Sequence, residues 1–295
     1  MIAIDWGTSN FRAYRLSSDG RILETRSAPL GISSVEPGQF SAVLGEQISD
    51  WLAAEAGPVA MSGMIGSRHG WVEVPYVPCP AGRTEIAAGA HRLTSYEPSP
   101  IVICPGLSHR DTAGVPDVMR GEEMQILGAV DECGDGMYCL PGTHTKFVVV
   151  EGARIVSFRT FMTGEVFGLL RQHSILARLM DALDDTDDAS FEDGVHRARA
   201  GGSLLHDLFG VRTRALFGEL PTASAASYLS GILVGHEIRE ASPRGRVTLI
   251  ASASLSPLYA RAFGMFGVEC IIPDPEAAVT RGLASVLALL PEENV

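Results

Sequence analysis

A carboxylate that ends an apolar run and is followed at once by glycine and three short polar side chains is a pattern suited to holding phosphate. Ile2-Ala3-Ile4 leads into such a stretch, Asp5-Trp6-Gly7-Thr8-Ser9-Asn10, before Phe11, Ala13, Tyr14 and Leu16 resume the apolar pattern. Without a Cβ at Gly7, backbone N–H groups can approach an anion closely, while Thr8, Ser9 and Asn10 add short donors. Asp5 at the strand end suits a Mg²⁺ held through water beside phosphates. The alternative is an ordinary hairpin turn with a solvated aspartate. A second stretch of the same design weighs against it: Met137 to Leu140 leads into Pro141-Gly142-Thr143-His144-Thr145-Lys146 and then Phe147-Val148-Val149-Val150. Strand, Gly-Thr turn, strand, turn and strand recur in that order, which points to an internal duplication and two similar domains.

Three further groups are suited to chemistry. Ser62-Gly63-Met64-Ile65-Gly66-Ser67-Arg68-His69-Gly70-Trp71 is too rich in glycine and polar groups for a strand and too apolar for a linker. A loop of this kind at a strand's C-terminal end is where α/β folds place small ligands, the alternative being a loop packed for structural reasons. Arg120-Gly121-Glu122-Glu123 puts two carboxylates in the first turn of a helix, where they complement the macrodipole. That role suffices for Glu123 and falls short for Glu122, which follows Gly121 directly. The run Asp184-Asp185-Thr186-Asp187-Asp188 reads as a solvated acidic loop rather than a metal site.

These residues need elements to place them. Arg21 to Ala28 alternates as a third strand, and Gln39 to Ala54 is an amphipathic helix with Phe40, Val43, Leu44, Ile48, Trp51 and Leu52 on its apolar face. Val59 to Met61 and Ile101 to Cys104 are buried strands, and Asp111 to Gly121 is a polar loop. Glu122 to Val130 is a helix, Arg154 to Met162 a strand, and Thr163-Gly164-Glu165 opens another helix. Thr222 to Glu240 is a strong helix whose Gly231 and Gly235 imply close approach, to a neighbouring helix or to a bound base. Val247 to Ala251 is a strand ending in Ser252-Ala253-Ser254, Tyr259 to Phe266 a helix, Glu269 to Ile272 the last strand and Glu276 to Leu290 the last helix. The expected boundary gives domains 1–131 and 132–295, joined by structured elements near Gly128 to Gly136.

With 295 residues, 46% of them hydrophobic, and 32 glycines, the chain fits a two-domain α/β enzyme. A net charge of −12, from 23 basic and 35 acidic residues, argues against nucleic acid or an anionic membrane as a partner. Cys79, Cys104, Cys133, Cys139 and Cys270 are odd in number and scattered, as in a reduced cytoplasmic protein with buried thiols and no zinc site. The sequence has no basic leader before its first strand and no uncharged run near the roughly 18 residues of a membrane span.

Asp5 to Arg12, Met61 to Ser67, Met119 to Glu123, Leu140 to Lys146 and Phe161 to Glu165, in this order, resemble the 2-dehydro-3-deoxygalactonokinase family over nearly the whole chain. The resemblance implies the actin-like ATPase superfamily: two ribonuclease-H-like domains with a nucleotide cleft between them. It implies a Mg²⁺- and ATP-dependent transfer to the terminal (6-) hydroxyl of a 2-keto-3-deoxy sugar acid, 2-dehydro-3-deoxy-D-galactonate first among them. Another small-molecule kinase or a phosphohydrolase of the superfamily is the alternative, and a non-enzymatic ATP-driven clamp a more distant one. By the resemblance, Gly7, Thr8, Ser9 and Asn10 form the first phosphate loop, with Asp5 as metal holder. Gly142, Thr143, His144, Thr145 and Lys146 form the second, and Ala251-Ser252 the adenosine loop, where the superfamily usually has glycine at the Ser252 position. The sugar acid is expected against Gly63, Met64, Ser67, Arg68 and Trp71, with Arg12, Arg68 or Arg120 available to its carboxylate. Glu122 takes the place of the base, with Glu123, Asp111 and Glu165 as rivals.

Overall fold

The computed structural model describes residues 1–54, 57–94, 96, 99–180 and 187–291. Each Gly-Thr stretch opens its own sheet. β1 (Ile2–Trp6), β2 (Phe11–Leu16) and β3 (Ile22–Ala28) form an antiparallel meander, and α1 (Phe40–Ala54) crosses to β4 (Val59–Ser62), which runs parallel to β1. β5 (Val77–Pro78), α2 (Arg83–Gly89) and β6 (His91–Leu93) lead to β7 (Ile101–Ile103), parallel to β4. β8 (Leu107–Arg110) and β9 (Pro116–Met119) pair as a hairpin, followed by α3 (Glu122–Cys133). Among the described residues the first sheet has the order β3-β2-β1-β4-β7-β6, with β5-β8-β9 as a small separate sheet.

The second sheet repeats the order. It comprises β10 (Gly136–Leu140), β11 (Thr145–Glu151) and β12 (Arg154–Phe161), then β13 (Arg246–Leu249) and β14 (Glu269–Ile271), arranged β12-β11-β10-β13-β14. Between β12 and β13 stand α4 (Thr163–His173), α5 (Asp188–Arg199), α6 (Leu204–Leu216) and α7 (Ala225–Ala241), where the first sheet has α1 alone. α8 (Ser256–Met265) precedes β14 and α9 (Pro275–Leu287) follows it. The expected duplication is thus visible as strand order.

The central strands are apolar on both faces, so they are enclosed on both sides. Ile2, Ala3, Ile4 and Trp6 of β1 are buried, as are Val59, Ala60 and Met61 of β4. Trp6 meets Phe11 and Phe40 edge to face at 4.9 and 5.7 Å and donates from Nε1 to the Leu30 carbonyl at 2.7 Å. Phe40, Leu44, Ile48, Trp51 and Leu52 of α1 are the buried face that the sequence periodicity marks.

Several expectations need correction. The 111–121 segment is not all loop: β9 lies within it, a short strand that opens on Pro116, with little apolar alternation to reveal it. Helix 222–240 begins as a short 3₁₀ turn, Thr222–Ser224, and becomes α-helical at Ala225. Gly231 serves a neighbouring helix: a Cβ there would lie 2.0 Å from the Phe191 carbonyl of α5. Of the acidic run, residues 184–186 lie outside the described residues. Asp187 caps α5 by accepting the Ser190 N–H at 3.1 Å, and Asp188 pairs with Arg261. The five cysteines are free, and no described helix is long and apolar enough to cross a membrane.

The chain divides into two compact units, Met1–Asp135 with Val148–Phe158 and Pro273–Val295, and Gly136–Phe147 with Arg159–Ile272. This differs from a single cut at 131/132, because α9 returns to pack on α3 of the first unit. Glycines make that return possible. A Cβ on Gly128 of α3 would lie 1.8 Å from the Ala278 carbonyl, and one on Gly282 of α9 would lie 2.0 Å from that of Met124. The two helices therefore touch backbone to backbone. Gly282→Ala should cost about 2 kcal/mol or more, as overpacking against rigid backbone does, read as a lower urea midpoint with an unchanged slope.

Candidate active site

The first Gly-Thr turn is clasped from one side. The carbonyls of Gly7, Thr8 and Ser9 accept N–H groups of Ile32, Ser33 and Gly31 at 3.0, 3.2 and 3.2 Å. Thr8, Ser9 and Asn10 remain exposed. A Cβ on Gly7 would meet only the Asn10 carbonyl, at an ordinary 3.7 Å, and one on Gly142 would meet nothing within 4 Å. Neither glycine is required by packing, so the space beside each backbone is open to a close approach.

Beside this turn, three chain segments converge. Gly63, after β4, has φ +96°, and a Cβ there would lie 2.7 Å from the Trp6 carbonyl and 3.3 Å from Asp5 Oδ1. Gly121, before α3, has φ +111°, and its Cβ would lie 3.3 Å from Gly63 Cα. The ends of β1 and β4 and the start of α3 are thereby brought to one place, with Asp5 and Glu122 near it. Burial raises the Asp5 pKa, the Arg12 guanidinium on Oδ2 at 3.2 Å pulls it back, and the charge of Glu122 pushes it up again. The two carboxylates therefore sense each other.

Helix-start geometry separates the adjacent glutamates. Glu122 is half-buried, and its Oε2 accepts the Arg120 N–H at 3.0 Å. Glu123 is fully buried, and both its oxygens accept the Gly121 N–H, at 2.8 and 2.9 Å. Burial, and then the charge of Glu122, push it up to about 8. Of the other rivals, Asp111 is exposed and caps the β8–β9 turn by accepting the N–H groups of Ala113 and Val115, and Glu165 pairs with His144.

The structure also separates the three arginines. Arg120 is buried, donates from Nη2 to the Val74 carbonyl at 2.7 Å and stacks on Tyr76 at 4.3 Å. Its Nε and Nη1 are enclosed without a hydrogen-bond partner. Arg12 is partly exposed and engaged with Asp5, whereas Arg68 is exposed. Ser67 is buried, and Met64 and Trp71 pack on the core, Trp71 stacking 6.5 Å from Phe40.

In the second unit, Thr143 and His144 are exposed, whereas Thr145 and Lys146 turn inward. The start of α4 holds this turn: the Thr143 carbonyl accepts the Glu165 N–H at 2.9 Å, and a Cβ on Gly164 would lie 2.3 Å from the Gly142 carbonyl. Beside Gly142 opens a cavity of about 240 Å³, whose wall includes Thr163, Ser227, Ser230, Leu255 and Leu258. Ala251 is buried and Ser252 exposed, the latter's carbonyl accepting the Leu255 and Ser256 N–H groups that begin α8. The sequence reading missed Thr163, Ser227 and Ser230. Two serines three apart on the largely apolar first half of α7 were the available signal.

Two repeats of one strand order, each opening on a Gly-Thr turn, define an α/β protein of the actin-like ATPase and sugar-kinase fold. The activator of 2-hydroxyisocaproyl-CoA dehydratase from Clostridium difficile, solved with bound ADPNP, shares that fold at a TM-score of 0.52 and 12% identity, over 98% of this chain and 94% of that one. The chain belongs to the 2-keto-3-deoxy-galactonokinase family, whose sequence model matches residues 5–286. It is 36% identical over 291 residues to the 2-dehydro-3-deoxygalactonokinase of Escherichia coli (strain K12), covering 97% of this chain and 96% of that protein. A crystal structure of a family member from Sinorhizobium meliloti superposes with a TM-score of 0.90 at 37% identity, covering 98% and 99% of the two chains.

Glu123 yields a test of the local electrostatics. Its folded pKa of about 8 stands above the ordinary 4.5, so its contribution to stability is present in full below pH 4.5 and lost as pH rises toward 8. Over that window wild type should lose stability relative to Glu123→Gln by as much as about 1.4 kcal/mol per pH unit. Parallel stability profiles from urea titrations would contradict the raised value.

Proposed function

We propose that this protein is an ATP-dependent kinase that phosphorylates the terminal 6-hydroxyl of 2-dehydro-3-deoxy-D-galactonate. Family membership gives the reaction class. The observation that ties it to this chain is the placing of Asp5 and Glu122 together by the close packing of Gly63 and Gly121.

Phosphoryl transfer asks mainly for positioning and charge neutralisation. Thr8, Ser9 and Asn10 in the first turn, and Gly142, Thr143 and His144 in the second, serve phosphate oxygens. Thr145 and Lys146, turned inward, support the second turn. The cavity beside Gly142 suits the adenosine, with Ser227 and Ser230 as polar contacts on an apolar wall.

Asp5 fits a Mg²⁺ holder: it is a desolvated carboxylate at a strand end, with one oxygen paired to Arg12 and the other facing Gly63. A single carboxylate is the usual protein share of a Mg²⁺ bound mostly by water and phosphates. When bound, the ion would neutralise charge on the transferring phosphoryl group.

Glu122 accepts the proton of the 6-hydroxyl as its oxygen bonds to the γ-phosphorus and the bond to ADP breaks. Its link to the Arg120 N–H orients it for this work. Arg68, exposed on the Gly63–Trp71 loop, reads the substrate carboxylate, and Arg120 holds the segment after that loop through the Val74 carbonyl.

ADP release measured with a panel of keto-deoxy sugar acids tests the activity; turnover with glycerol or acetate and none with any such acid would overturn it. Glu122→Gln should keep the Michaelis constants and lose roughly 10²-fold or more in kcat; wild-type turnover would remove the base assignment. Arg68→Ala should raise KM for the acid about tenfold or more while kcat changes less, consistent with loss of a charge-assisted contact. An unchanged KM would assign the carboxylate to another group.

A further inference from the structure

Glu237 on α7 is buried, and neither of its carboxylate oxygens closes a hydrogen bond of ordinary geometry. A buried carboxylate without full pairing is costly unless something near it makes use of it. Three hydroxyls stand close enough to act on its charge, those of Thr163, Thr145 and Tyr259. Each belongs to a different element around the second Gly-Thr turn. Thr145 follows His144 at the start of β11 and shares a 3.2 Å hydrogen bond with the Tyr259 hydroxyl. Thr163 opens α4, whose next two residues clamp the turn, Gly164 against the Gly142 carbonyl and the Glu165 N–H on the Thr143 carbonyl. Thr163 and Tyr259 also line the cavity beside Gly142.

We propose that Glu237 is the positioning residue of the second phosphate turn, fixing Thr145 and Thr163 beneath Gly142 and Thr143, and that nucleotide is held best while its carboxyl is protonated. This rests on the reading of that turn as a phosphate site. A protonated carboxyl both donates and accepts, so it can order hydroxyls that are themselves donors and acceptors. Ionised, it places a buried negative charge under a turn that must receive polyphosphate.

The surroundings leave Glu237 free to titrate. The titratable groups acting with it are Tyr259 from α8 and Cys139 from β10, and burial first, then the charge of Glu237, raise both, keeping them neutral. On α7 itself His236, Arg239 and Glu240 line a second cavity together with Glu237. His236 is committed elsewhere, to Asp207 of α6 at 2.8 Å and to Arg239 at 3.0 Å, and Asp207 is held in turn by Arg197 of α5 at 2.7 Å. Burial lifts Glu237 to about 7, with Thr163, Thr145 and Tyr259 pulling it back.

The test is ADP affinity by calorimetry from about pH 5.5 to about pH 8.5 on wild type and Glu237→Gln, with thermal unfolding to check that both are folded. Glutamine keeps one donor and one acceptor and does not titrate. Wild type should weaken relative to the variant by about threefold or more as pH rises through about 7, with the two matching at the acid end. Parallel profiles would overturn the assignment. Should Glu237→Gln fail to fold, Thr145→Val serves: it should weaken ADP at every pH and leave KM for the sugar acid unchanged, and unchanged ADP affinity would equally overturn the proposal. An enzyme active on the sugar acid with parallel ADP profiles sinks only the role of Glu237. Divergent ADP profiles without turnover on any sugar acid sink only the substrate assignment.

Discussion

The first unit depends on one steric constraint, the absence of a Cβ at Gly63 and Gly121. With the Trp6 carbonyl only 2.7 Å from where a Gly63 side chain would begin, and Gly63 itself 3.3 Å from that of Gly121, three segments pack main chain to main chain. Both glycines have positive φ, a conformation that other residues enter at a cost. Asp5 and Glu122 sit near the ends of elements whose backbones this packing holds together, so the spacing of their Cα atoms is set by main-chain contact.

The second sheet uses the same strand order with a different filling. Where α1 alone stands between the third and fourth strands of the first sheet, α4 to α7 stand in the second, and α4, α5 and α7 line the cavity beside Gly142 together with α8. α5 and α7 touch through Gly194 and Gly231, which places Phe191 against that cavity's apolar wall. The two copies share a common frame, and the helices inserted between the third and fourth strands of the second accompany the cavity beside Gly142.

What was legible in the sequence was whatever had a period or a punctuated turn. The β1–β2 hairpin and the β10–β11 turn could be placed because apolar runs meet Gly and Thr within a few residues, and α1 because its apolar residues recur at helical spacing. β9 could not, since a four-residue strand opening on Pro116 has no apolar face to announce it. Side-chain direction was the other gap. Thr145 and Lys146 share a motif with the exposed Thr143 and His144, yet β11 begins at Thr145 and turns both inward. Arg120 reads as a free cation, but the Val74 carbonyl and the Tyr76 ring, both distant in sequence, draw it inside. Such burial depends on partners that no local pattern names.

The packing of α9 on α3, β1 and β4 bears on how the chain is made. A nascent chain leaves the ribosome from its N-terminus, and domains generally fold as units when complete. The first unit cannot be complete on this schedule: α9 emerges only after the whole of the second unit has been synthesised. Until then, the α3 surface around Gly128 and the face of the first sheet that α9 covers stand open, with their apolar side chains in water. The unit that holds Asp5 and Glu122 is therefore closed by the last helix to be made.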